Sequence, residues 1–126
     1  MSSADLPERV RTLILEAIDS VAELEALLLL RMTPHQRWTV EATSARLYVR
    51  PVMAAQALTA LARRGFLNEN AEGFAFQPSS LALADDVTAV ACSYATSLIE
   101  VTNLIHSKPS SSIQDFARAF RIRKDG

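Results

Sequence analysis

The sequence holds one cysteine, two histidines and three glycines among 126 residues, and each scarcity removes a class of chemistry. A single thiol, Cys92, cannot form an intramolecular disulfide, and it fits a reducing compartment. His35 and His106 lie about seventy residues apart with no partner at metal-ligand spacing, so neither a metal nor a cofactor is expected. No glycine-rich phosphate loop, nucleophile elbow or paired-histidine motif occurs, so the chain is not expected to be an enzyme. The longest uninterrupted apolar run, Ala26 to Leu30, is far shorter than the ~20 residues a bilayer span requires. No apolar run lies near the opening MSSADLPERV, so no secretory signal is expected and the expected location is cytoplasmic.

What remains has the composition of a globular helical chain. Hydrophobic residues make up 49% and charged residues 21%, as in folded domains, and the length suits one domain over residues 1–126. Val10, Leu13, Ile14, Ala17, Ile18 and Val21 recur at three- and four-residue spacing, which predicts a helix with one buried face. Ser20 and Glu23 form a capping-box pair, so a break is predicted at Asp19-Ser20 with a second helix after it. That helix is apolar nearly all round by Leu30 and is expected at the centre of the core.

The stretch from Trp38 to Phe76 has the densest local signals. Thr39 is a good N-cap, with Glu41 in the first turn where a carboxylate meets the helix dipole favourably. Ala42, Ala45 and Leu47 are predicted to point inward, and Tyr48 to Arg50 form a short turn. Pro51 suits the first turn of the next helix. Ala54, Ala57, Leu58 and Leu61 share one face of it, and Gly65 stands at the left-handed cap position. Phe66-Leu67 and Phe74-Ala75-Phe76 flank Asn68 to Gly73 as a hairpin.

This order of helix, tight turn, helix and hairpin resembles the winged helix-turn-helix domain of bacterial transcription regulators of the multiple-antibiotic-resistance (MarR) type. The matching residues are Trp38-Thr39, Ala45, Leu47, Val49, Leu58, Leu61, Gly65-Phe66-Leu67 and Gly73-Phe74, over about a third of the chain. The resemblance implies a mainly α fold: a winged-helix core over 20–78 with a small β-hairpin wing and additional N- and C-terminal helices. It implies a non-enzymatic transcriptional regulator that binds double-stranded DNA as a homodimer. By the same resemblance, Arg50, Val52, Met53, Ala55, Gln56 and Thr59 would face the major groove, and Arg46, Arg63 and Arg64 would flank it as phosphate contacts. Gln56 suits adenine and Arg50 suits guanine.

Two features depart from that pattern. Pro51, Val52, Met53 and Ala55 offer no polar base readout, and the wing tip carries Glu69 and Glu72 without a base. A carboxylate repels a phosphate backbone, so this wing is not expected in the minor groove. These residues define a rival reading, in which Val52, Met53 and Ala55 form a surface for a protein partner and no DNA is bound.

The formal net charge is −1, unevenly spread. Residues 31–64 are net +5, from Arg31, Arg37, Arg46, Arg50, Arg63 and Arg64 against Glu41 alone. Residues 1–30 and 65–107 are net −4 and −5, and 108–126 returns to +3. Two readings stay open: the bases mark a nucleic-acid surface, or they face the acids of the other segments.

Residues 79–108 are read as one long helix capped by Ser79 or Ser80, a rod on the order of 35 Å from Asp85 to Ser107. Its apolar positions, Val87, Val90, Tyr94, Leu98, Val101 and Ile105, form either a dimerisation face or a packing face for the amino-terminal helices. Residues 109–126 are read as a basic amphipathic C-terminal helix. It is capped by Ser112, with Ile113, Phe116, Ala117 and Phe120 on one face and Arg118, Arg121, Arg123 and Lys124 opposite.

Overall fold

The structure, a computed structural model, describes residues 6–108. The helix expected at 109–126 therefore lies outside the described residues. Six helices and one hairpin follow in order: α1 (Glu8–Ala17), α2 (Val21–Met32), α3 (Val40–Leu47), α4 (Pro51–Arg63), β1 (Leu67–Asn70), β2 (Gly73–Phe76), α5 (Leu81–Thr96) and α6 (Leu98–His106). None of the described helices is long and apolar enough to cross a membrane.

The amino-terminal break falls where the capping box puts it. Ser20 Oγ accepts from the Glu23 N–H at 3.1 Å, and Glu23 Oε1 accepts from the Asp19 N–H at 2.9 Å. Two orphan donors at the start of α2 are thereby satisfied. α2 then buries Leu24, Ala26, Leu27, Leu29 and Leu30. It packs against α3, α4 and β2, while α1 packs against α5 and α6, and one continuous core joins both groups.

In α3 the cap is Thr39, whose side chain accepts from the Ala42 N–H at 3.0 Å. The inward face is not the one expected. Ala42 and Ala45 are exposed and Leu47 is half-buried, whereas Thr43 and Ser44 are buried. Their hydroxyls are satisfied locally: Thr43 Oγ1 donates to the Thr39 carbonyl at 2.9 Å, and Ser44 Oγ to the Val49 carbonyl at 2.6 Å. A short hydroxyl with a backbone acceptor packs inward without a desolvation penalty.

α4 buries the expected Ala54, Ala57, Leu58 and Leu61. It ends in a Schellman turn: Phe66 N–H bonds the Leu61 carbonyl at 3.0 Å, Gly65 N–H bonds the Ala62 carbonyl at 3.2 Å, and Gly65 has φ +90°. The hairpin is tighter than expected. Asn70 pairs with Gly73, so only Ala71-Glu72 turn the chain. Trp38 adds an antiparallel bridge to Phe74, with N–H···O distances of 2.7 and 2.8 Å in the two directions. Arg37 Nη1 clasps the hairpin by donating to the carbonyls of Asn68 (2.9 Å) and Gly73 (3.4 Å).

The long carboxy-terminal rod is not formed. α5 begins four residues before Asp85, capped by Ser80 Oγ, which accepts from the Leu83 N–H at 3.0 Å. It stops at Ser97, whose φ of −137° and ψ of 51° break the helix before α6. Thr96 Oγ1 bonds the Cys92 carbonyl and Ser97 N–H bonds the Ser93 carbonyl, so the last turn of α5 is satisfied locally. The break has a packing reason. α1 is only ten residues long, too short to cover a straight rod of ~35 Å, and the bend lets both halves meet it. Val87, Val90, Val101 and Ile105 are consequently buried in the chain's own core rather than free for a second copy. Tyr94 is half-buried with its hydroxyl 3.3 Å from Glu25 Oε2, and Leu98 alone of the six expected interface residues is exposed (52%). Burial of Tyr94, and then the adjacent Glu25 carboxylate, hold its pKa above 10.0.

Gly73 is the least replaceable backbone position in the hairpin. It has φ +125°, and an added Cβ would stand 2.4 Å from the Trp38 carbonyl oxygen. Gly73→Ala is expected to lower stability by about 3 kcal/mol through strain and displacement of the Trp38 bridge, measured as a shift of the urea unfolding midpoint.

Candidate functional site

α4 and the turn before it carry an exposed stripe with arginines on it and beside it. Arg50 is the N-cap, in extended backbone, and Pro51 occupies the first helical position. The first turn holds no acid, so the positive end of the helix dipole is not neutralised from within it. Beyond the cap, Val52, Gln56, Thr59 and Arg63 fall four, three and four residues apart on one stripe, and all are exposed. Val52 is 54% and Met53 38% exposed, so no described residue covers the apolar start of the helix. Beside this stripe, an open groove of about 550 Å³ runs past Ala55, Gln56, Thr59 and Ala60 to Arg63, with Glu23 and Arg64 on its far wall.

The six arginines between residues 31 and 64 divide into two sets. Arg31 Nη2 donates to Thr88 Oγ1 at 3.1 Å, and Arg37 is committed to the hairpin. Arg64 is held most firmly. Its Nη1 donates to the Ala17 carbonyl and Glu23 Oε1, both at 2.7 Å, and its Nη2 to Asp19 Oδ2 at 2.9 Å. The guanidinium expected to touch phosphate is thus turned inward onto two carboxylates. Arg46, Arg50 and Arg63 are exposed and make no ion pair among the described residues. Of the six, Arg64 alone pairs with carboxylates of another segment among the described residues, while Arg31 and Arg37 bind a hydroxyl and backbone carbonyls.

Lys108 completes the arrangement around Asp19. Its side chain is 7% exposed, and Nζ donates to the carbonyls of Ile14 (2.8 Å) and Ile18 (2.6 Å) and to Asp19 Oδ1 (3.0 Å). α1 has no base in its last turn, so Lys108 and Arg64 supply the donors its terminal carbonyls lack.

The wing presents little to an anion. Glu69 and Glu72 are exposed, and Asn70 Oδ1 takes the Glu72 N–H at 2.8 Å to shape the tip. Val52, Met53 and Ala55, the alternative partner surface, lie on the same helix as Gln56 and Arg63, so the two candidate surfaces are one face. No group of three or more metal-ligating side chains gathers among the described residues.

One residue of this face has no role in the sequence reading. Tyr48 lies in the turn between α3 and α4 with φ 58° and ψ 41°, and it is 93% exposed. A left-handed conformation costs a non-glycine residue on the order of 1 kcal/mol. The signal was present as a mismatch: that turn position favours glycine or asparagine, and an aromatic stands there. Compared with known protein families, curated proteins and solved structures, the chain matches none.

The contrast between the arginines is measurable in stability. Lys108→Ala, which removes a buried ammonium from Asp19 and from the Ile14 and Ile18 carbonyls, is expected to lower unfolding free energy by about 2 kcal/mol. Arg63→Ala is expected to change it by less than about 0.5 kcal/mol. Urea titration of both variants checks the pair.

Proposed function

We propose that the chain is a winged-helix DNA-binding transcriptional regulator of the MarR-like type, non-enzymatic, with α4 as the reading helix. The observation that carries this is the uncovered stripe of α4 with three unpaired arginines, Arg46, Arg50 and Arg63, beside it. The order α2, Trp38 bridge, α3, α4, β1 and β2 supports the winged-helix reading. In this reading α4 lies in the major groove, with Gln56 on adenine and Arg50 on guanine, each worth about 1–3 kcal/mol of discrimination. Arg46 and Arg63 contact phosphates and set the register. Arg64 is left out, because its guanidinium neutralises Asp19 and Glu23. The acidic wing stays clear of the duplex. A second copy would read a second half-site, through a surface other than the buried valines of α5.

The exposed Val52 and Met53 favour one rival, a winged helix that regulates a protein partner without touching DNA. Anisotropy of a labelled, arbitrary-sequence duplex across a salt series separates the two. DNA binding is expected to be micromolar and to weaken steeply with salt, and Arg63→Ala is expected to reduce the log–log slope by about 1. Absence of binding at low salt by folded protein would replace the DNA reading with the protein-partner one.

A further inference from the structure

Among the described aromatic residues, Tyr48 stands apart. Trp38, Phe66 and Phe74 are buried, Phe76 is half-buried, and Tyr94 is half-buried with its hydroxyl on Glu25. Tyr48 is exposed almost completely, its hydroxyl meets no partner, and its backbone is held left-handed. It is the only non-glycine residue with positive φ among those described. The left-handed turn itself is closed by the Val49 N–H on the Ser44 carbonyl (3.2 Å) and by Ser44 Oγ donating to the Val49 carbonyl (2.6 Å), but the ring buries almost no surface and the side chain makes no hydrogen bond among the described residues. The turn needs a left-handed residue but not an aromatic one, so a solvent-exposed tyrosine where glycine or asparagine fits better points to a role outside the fold.

The surroundings narrow that role. Arg46 and Arg50, two residues to either side, are exposed and unpaired. No acid occurs between Glu41 and Glu69. The first outward residues of α4, Val52 and Met53, carry no side-chain hydrogen-bond donor, so side-chain anchoring at this end of the helix falls to the turn. Tyrosine offers both a flat apolar ring and a donor hydroxyl, the combination that packs on a deoxyribose and bonds a phosphate oxygen.

Resting on the DNA reading above, we infer that Tyr48 is a positioning residue that lays its ring and hydroxyl against the sugar–phosphate backbone of duplex DNA between the Arg46 and Arg50 contacts. It fixes the entry of α4 into the groove, and it is kept at the expense of the turn's own stability. The contact carries no net charge, so it sets affinity without contributing to counterion release.

The distinguishing experiment measures stability and duplex affinity on the same variants. Tyr48→Gly relieves the left-handed strain and is expected to raise the urea unfolding midpoint. It is also expected to weaken binding of a labelled arbitrary-sequence duplex by about tenfold with the salt slope unchanged. Tyr48→Phe keeps the ring and is expected to lose about threefold, and Tyr48→Asn, which tolerates the same backbone, should follow Tyr48→Gly. Wild-type binding matched by Tyr48→Gly and Tyr48→Asn overturns the inference and leaves the DNA reading standing. Weaker binding accompanied by a lower unfolding midpoint in both variants also overturns it, as that pattern marks a structural role. Failure of folded wild type to bind the duplex at low salt removes both.

Discussion

One carboxylate organises the joints of this protein. Asp19 receives Arg64 from the end of α4 on one oxygen and Lys108 from beyond α6 on the other. The same two cations satisfy the carbonyls of Ala17 and Ile18 at the end of α1, and Lys108 adds a second donor to the Ile14 carbonyl, which already accepts the Ile18 N–H. Three segments distant in sequence are thus fastened at the α1–α2 junction, where removal of either cation would weaken the compensation of a partly buried negative charge. Apolar packing alone is non-directional; this network sets where the helix ends meet. It also anchors α4 at its C-terminal end, next to the Schellman turn that leads into the hairpin, and leaves the opposite end facing solvent.

That anchoring explains why the basic segment is not uniformly available. Arg31, Arg37 and Arg64 bind groups within the fold, and the charge of Arg64 is offset by the two carboxylates it holds. Arg46, Arg50 and Arg63 remain, on the two helices and the turn between them. Tyr48, left-handed and exposed, stands in that turn.

Where local chemistry governs an element, it was legible from the residues. The Ser20–Glu23 capping box, the Thr39 cap, Pro51 at the start of α4, its four buried apolar positions and the Gly65 turn all act within about one helical turn of themselves. The orientation of α3 was not legible. Ala42 and Ala45 look more apolar than Thr43 and Ser44, yet both hydroxyls found backbone acceptors and the smaller apolar groups faced outward. Nor was the break at Ser97 legible, because the repeat through Val87, Val90, Tyr94, Leu98, Val101 and Ile105 suits one straight helix as well as two. The helix is broken at Ser97, both parts pack on α1, four of those residues are buried and Leu98 is exposed.

The sequence by itself determined the number and type of elements from α1 to β2, and the three- and four-residue spacing of the apolar faces of α1 and α4. Those properties depend on neighbours a few residues away. Only the tertiary structure decided which arginines are spent inside the fold, which face of α5 and α6 is covered, and that Tyr48 stands alone in solvent. Arg64 and Asp19 are 45 residues apart, and Lys108 and Asp19 are 89 apart. No local window contains such a pair, so its existence depends on how the helices pack.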